Sequence, residues 1–170
     1  TVTVGRWSPA AMAKRGRTPA AARPPALGFW AGGASSGGGG GAGGAAVRTP
    51  TQILQDGNAA LARRDYAAAE TAAKSVLAGP KSSSTPAAQF LLGQSYAGRR
   101  DWAHAAVAYD DAYRGAPTGP RAQDAQLGLA ASLIGLGDKT SACQALSLIR
   151  TPRPDLRDRV IAERQRAGCR

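Results

Sequence analysis

The chain has 170 residues, 43% of them hydrophobic, with 22 Gly, 11 Pro, 5% aromatic residues and a formal net charge of +11. That is enough for one core, yet the glycine and proline content means that part of the chain buries nothing. Six Lys or Arg and no acid stand before Thr49, whereas the remainder carries 16 basic and 11 acidic residues, so the basic balance does not by itself assign nucleic acid to the folded part.

Residues 1–48 hold no sustained period of 2 or 3.6. Gly32 to Gly44 reads GGASSGGGGGAGG, which cannot offset its ordering entropy by burial, so a disordered basic tail and glycine-rich linker are expected here. No Lys follows these glycines, as a phosphate-binding loop would need. Trp7, Phe29 and Trp30 are not interleaved with Arg6, Lys14, Arg15, Arg17 and Arg23, which argues against nucleic acid as a partner. The best candidate for an export signal, residues 20–34, is broken by Arg23, Pro24, Pro25 and glycines, and no run of about 20 apolar residues is present to span a membrane. An acid-free start rich in Arg, Pro, Ala and Gly is also what a GC-rich gene gives when read from a wrong start or frame, so part of residues 1–31 is expected not to be native.

From Thr49 the pattern becomes helical. Pro50 or Thr51 opens a first helix striped by Ile53, Leu54, Gly57, Ala60 and Leu61; Asp65 caps a second that holds Tyr66, Ala69, Ala73, Val76 and Leu77. This predicts a hairpin over about 50–79. After the turn residues GPKSSSTP a second hairpin, about 86–116, carries Phe90, Leu91, Leu92, Tyr96 and Ala97, then Asp101 as cap, then Trp102, Ala105, Ala106, Tyr109, Ala112 and Tyr113. Gly93 and Ala105 let its two helices approach, with Trp102 and Tyr109 filling the space beside them. A shift of 36 lays Asp65 on Asp101, Tyr66 on Trp102, Ala69 on Ala105 and Gly57 on Gly93. A further shift of 37 gives a third hairpin, about 121–150, with Leu127, Leu133 and Ile134, then Asp138, then Ala142, Leu146 and Ile149. Lys139 stands there in the place of Trp102. A last helix, about 154–167, has Leu156, Val160 and Ile161 on one side and a solvated, Arg-rich remainder.

Leu92, Gly93, Tyr96, Trp102, Ala105, Tyr109, Ala112 and Pro117 together resemble the tetratricopeptide repeat. The expected fold is therefore all-α: a tetratricopeptide-repeat superhelix of about three hairpins and a C-terminal capping helix over residues 49–170, preceded by the tail. Gly57, Tyr66, Ala69 and Ala142 complete its packing set. In such an array the first helices line the binding face, which makes Asn58, Leu61, Phe90, Gln94, Ala97, Ala131 and Ile134 the candidates for a partner-binding groove. For Leu61, Phe90 and Ile134 packing between helices is an equal alternative. Arg99, Arg100, Arg114 and Arg121 fall in turns, so the groove reads as amide and apolar and suits a helix or an extended peptide better than an acidic tail.

A closer resemblance covers roughly Thr49 to Arg170. The run AQFLLGQSYAGRRDWAHAAVAY, then GPRAQDAQLGLAASLIGLGDKTSACQAL, then AERQRAGC resembles the C-terminal domain of the Tol-Pal-associated periplasmic protein, the cell division coordinator family. Gly119-Pro120, Asp124-Ala125, Leu136-Gly137, Ala142-Cys143, Glu163 and Gly168-Cys169 carry it most specifically. The resemblance implies a non-enzymatic periplasmic adaptor whose partners are the Tol envelope-spanning protein and a bifunctional peptidoglycan synthase, linking outer-membrane constriction to septal peptidoglycan synthesis. It implies no small-molecule substrate and no cofactor. The family's signal peptide and trimerising coiled coil have no counterpart in this sequence, so an oligomeric state is not implied. The alternatives are a generic repeat adaptor with another partner, or an RNA or membrane-surface binder acting through the basic tail.

Cys143 and Cys169 lie 26 positions apart, and a bond between them would tie the capping helix to the array, worth on the order of 3–4 kcal/mol by loop entropy; two reduced thiols are the alternative. No metal site is expected, since His104 is the only histidine and no Cys pair has ligand spacing. Nor is catalysis. No Ser, Cys or carboxylate stands around His104 in a known spacing, and Asp110 and Asp111 would point about 100° apart on a helix.

Overall fold

The computed structural model describes residues 48–169. The expectation of a disordered tail therefore lies, apart from Arg48, outside the described residues. Within them the protein is all-helical: α1 (Pro50–Ala62), α2 (Tyr66–Leu77), α3 (Thr85–Gly98), α4 (Trp102–Gly115), α5 (Ala122–Gly135), α6 (Lys139–Ser147) and α7 (Arg157–Ala167), with a 3-10 turn at Pro154–Leu156 before the last.

Local chemistry sets the ends of these helices. Thr49 and Gln52 form a reciprocal capping box at the start of α1, with Pro50 in the first turn where its missing N–H costs nothing. Asp65, Asp101 and Asp138 each accept a hydrogen bond from the backbone N–H three residues on, that of Ala68 (3.0 Å), His104 (3.4 Å) and Ser141 (3.0 Å). Hydrogen bonds from the Ser141 side chain and backbone hold the Asp138 carboxyl below its ordinary range.

One closing turn recurs four times. The N–H of Asp65 donates to Ala60 O, that of Asp101 to Tyr96 O, that of Asp138 to Leu133 O and that of Cys169 to Arg164 O, each at 2.9 Å. Before each of these residues stands one in the left-handed region, Arg64 (φ 62°), Arg100 (φ 61°), Gly137 (φ 83°) and Gly168 (φ 72°). By this geometry α7 ends as α1, α3 and α5 end, and Cys169 occupies the place of the capping aspartates. A helix that would be a mere solvating cap is thus structurally the fourth first helix of the series.

Packing follows the same order. Each helix lies against the next along the chain, and α1 also touches α3, α3 touches α5 and α5 touches α7. The odd-numbered helices form one row, with the even-numbered helices laid against it. Small residues decide how closely neighbours approach. Trp102, expected to fill space inside its own hairpin, instead lies over Gly135 at the end of α5, where an added Cβ would stand 2.6 Å from its ring. Tyr66 covers Gly98 in the same way one hairpin earlier. Tyr109 is held between Gly93 of α3 and Gly128 of α5, with 2.8 and 2.6 Å to the position of either Cβ. Gly57 has Leu91 and Ala72 in the space of its Cβ.

Ala69, Ala105 and Ala142, at matching positions of α2, α4 and α6, are each fully buried. Leu92 and Ala112 are buried and Tyr96 is half-buried, whereas Pro117 is exposed in the turn after α4. Among the residues of the last helix, Leu156, Val160 and Ala167 enter the core formed with α5 and α6. Ile161, read with them as apolar, is 48% exposed because it stands about 100° round the helix from Val160. Arg164 does not simply solvate the surface: its Nη2 donates to Leu146 O (3.1 Å) and Ile149 O (3.2 Å), satisfying carbonyls at the end of α6. Cys143 of α6 and Cys169 are joined in a disulfide.

Two measurements check this packing. In an open helix Gly→Ala is stabilising by about 1 kcal/mol; Gly93→Ala is expected to do the opposite, lowering stability by about 1–3 kcal/mol in urea unfolding because Tyr109 must move. Pairing it with Tyr109→Leu should recover part of the loss. Reduction of the Cys143–Cys169 bond is expected to lower stability by about 3–4 kcal/mol, with the increase in amide exchange greatest in α7.

Candidate partner-binding groove

Between α3, α5 and α7 the row of odd-numbered helices leaves a pocket of about 430 Å³. Phe90 and Gln94 reach it from α3, Asp124 and Gly128 from α5, Arg159 from α7, and Arg121 and Arg153 from the turns before α5 and α7. A smaller, mainly apolar cleft of about 170 Å³ adjoins it at the α4–α5 turn, lined among others by Pro86, Ala87, Ala112, Ala116 and Ala125. Phe90, Pro120 and Arg121 border both.

The floor is aromatic and rigid. Phe90 is 7% exposed and meets Tyr109 edge to face with ring centroids 5.6 Å apart, a geometry favoured by the opposed charges of ring edge and ring face. Gly93 and Gly128 fix Tyr109 from either side. Burial pushes the Tyr109 phenol well above its ordinary range, the Arg159 guanidinium working weakly against this, so the phenol stays neutral. Above Phe90 the Arg121 guanidinium lies 5.1 Å from the ring centroid.

Arg153 organises the rim. Its Nη1 donates to Pro120 O (2.6 Å) and its Nη2 to Asp124 Oδ2 (2.8 Å) and Asp155 Oδ2 (3.0 Å). Its backbone N–H donates to Gln123 Oε1 (2.9 Å), while Gln123 Nε2 donates to Thr151 O (3.0 Å). The loop between α6 and α7 is thereby fastened to the start of α5. Two buried polar atoms at this pocket have no hydrogen-bond partner, Gln94 Oε1 and Arg153 Nε. Such atoms are costly to leave unpaired.

Of the groove residues chosen from the sequence, Phe90 and Gln94 come together in this pocket. The others are spread elsewhere. Asn58 is exposed on α1 and donates through Nδ2 to Leu54 O (2.8 Å). Leu61 packs against the core around α1 and α2, Ala97 against that around Phe90 and Tyr109, and Ile134 against that of the last helices. Ala131 is half-buried in α5. Arg121, which falls in a turn as expected, nonetheless points into the groove, and Arg153 and Arg159 join it there. The charge of the groove is therefore more basic than the sequence reading had it. Loop residues escape a search by helical period, and the one signal for Arg153 was its place between Pro152 and Pro154.

Elsewhere, His104 Nδ1 lies 2.8 Å from Asp101 Oδ2, an exposed i,i+3 pair at the helix cap that the sequence reading did not anticipate. The imidazole leans on Tyr96 with centroids 5.2 Å apart. Asp110 pairs with Arg114 at 2.7 Å, and burial, with the neighbouring Asp110 charge, raises the Asp111 carboxyl above its ordinary range. Glu70 receives both Lys74 and Arg99 at 2.6 Å, tying α2 to the end of α3.

The described residues thus define an all-helical protein of stacked hairpins with a basic, aromatic-floored groove. Comparison with protein-family models gave no match, and none of the curated proteins searched matches the chain. Arg153→Ala should release the α6–α7 loop and lower stability by about 1 kcal/mol, the partly exposed ion pairs counting little. Arg153→Lys should not restore it, because a point charge cannot bridge Pro120 O, Asp124 and Asp155 together; thermal unfolding of both variants distinguishes these outcomes.

Proposed function

We propose that residues 49–170 form a tetratricopeptide-repeat domain and that the protein is a non-enzymatic adaptor acting through protein–protein contacts. The observation that carries the reading is the repeated unit itself. Three hairpins share a capping aspartate at Asp65, Asp101 and Asp138 and the same closing turn, and their first helices leave a groove with an aromatic floor. Stacked units of this kind bury their faces only against neighbours and present the side chains between first helices to partners.

The particular reading is that of the Tol-Pal-associated cell division coordinator family. Its support is the resemblance from Ala88 to Cys169, within which Pro120 and Asp124, two of its most specific residues, are both gripped by Arg153. The disulfide between Cys143 and Cys169 suits an oxidising compartment such as the periplasm. On this reading the domain binds the Tol envelope-spanning protein and a bifunctional peptidoglycan synthase and couples outer-membrane constriction to septal wall synthesis.

Immobilised full-length protein is expected to retain the Tol envelope-spanning protein under conditions in which a related coordinator domain retains it. Absence of retention, with the related domain positive, would overturn the Tol assignment in favour of an adaptor for another partner.

A further inference from the structure

We infer that the groove between α3, α5 and α7 reads an acidic segment of a partner protein, seating adjacent carboxylates on Arg121 and Arg159 and an apolar side chain in the neighbouring cleft. The inference rests on the reading of the domain as a protein-binding adaptor and names the chemistry of the partner.

Charge supplies the first argument. Arg153 is already engaged by Asp124 and Asp155, whereas among the described residues no carboxylate lies within ion-pair distance of Arg121 or Arg159, which border the same pocket. The Arg121 guanidinium carbon lies 5.1 Å from the Phe90 ring centroid, a cation–π contact that holds the charge beside the pocket without using its hydrogen-bond donors on a carboxylate. Two guanidiniums without a carboxylate of their own leave two positive charges at the pocket, which a single negative charge balances only in part. Consecutive acidic side chains balance both and a single terminal carboxylate does not.

The unpaired polar atoms supply the second. Gln94 Oε1 lacks a donor and Arg153 Nε lacks an acceptor, both at the same pocket. Both atoms are buried from solvent, so pairing them requires the Gln94 and Arg153 side chains to turn toward the pocket, where an extended peptide backbone offers both an N–H and a C=O and a lone anion offers no donor. The third argument is the cleft. Its volume of about 170 Å³ is close to that of an apolar cavity of about 150 Å³ that accepts benzene, so it takes a single Leu- or Phe-sized side chain. The chain's own N-terminal segment is the wrong occupant, since residues 1–47 contain five basic residues and no acid.

The test uses full-length protein and fluorescent decapeptides at about 0.15 M salt, the first two blocked at both ends. One peptide has two adjacent glutamates flanked by leucines, a second has lysines in their place, and a third has neither but ends in a free carboxylate. The glutamate peptide should bind at least about tenfold tighter than either other, and Arg121→Glu/Arg159→Glu should abolish that preference. The N-terminal basic residues are common to both proteins, so their attraction cancels in the comparison. Both arginines are exposed, and circular dichroism together with a milder Arg121→Gln/Arg159→Gln variant guards against misfolding. Equal affinity of wild type and variants for the glutamate peptide overturns the inference. So does tighter binding of the terminal-carboxylate peptide, or binding of none of the three. A Tol retention that fails while glutamate-peptide binding persists counts against the Tol partnership alone.

Discussion

The structure depends on aromatic rings lying directly on helix backbones. Tyr66 over Gly98 and Trp102 over Gly135 join one hairpin to the next, and Tyr109 sits between Gly93 and Gly128 to join three helices. A ring can reach a helix axis this closely only where no Cβ intervenes, so the glycines fix the distance and the rings fix the register. Neither partner contributes much alone, because a two-helix hairpin cannot bury its apolar face without a neighbour. Stability therefore resides in the junctions between units as much as in the units.

At the last junction the device changes. Lys139 heads α6 where Tyr66 and Trp102 head α2 and α4, and no ring is available to hold α7. The disulfide from Cys143 to Cys169 and the bonds from Arg164 to the α6 carbonyls stand in its place. A covalent link and charged hydrogen bonds do at the edge of the array what burial does in its middle, where water is excluded from both sides. The groove is built from the same junctions, since Tyr109 is at once the filling between α3 and α5 and the floor beneath Arg121 and Arg159.

How much of this was legible in the sequence follows from the range of each interaction. The helices and their starts were local: Asp65, Asp101 and Asp138 recur at near-constant spacing, and each bonds to an N–H three residues away. Gly57 and Gly93 stood out because the period superposes them. Trp102 was seen, but its partner Gly135 lies in the next hairpin, beyond any helical period, and was not. The same holds for the groove. Phe90 and Gln94 are one turn apart on α3, so the helical period alone puts them on one face, whereas Arg121, Arg153 and Arg159 come from two turns and α7, and only the fold brings them to the same pocket. Leu61 and Ile134 illustrate the converse, in that correct register on a first helix does not tell whether a neighbour covers the side chain.

Because Tyr109 and Phe90 serve core and groove together, the floor and the rim of the groove are not equally free to evolve. A substitution on the aromatic floor is first a folding mutation, whatever else it alters. Arg121 and Arg159 lie in a turn and on an exposed helix face, where exchange costs little structure, whereas Arg153 is tied into the fold, so the charge of the rim can change at two positions while the floor and the third stay fixed. A family of such domains could share one skeleton and one floor while differing in the sign and pattern of charge around it.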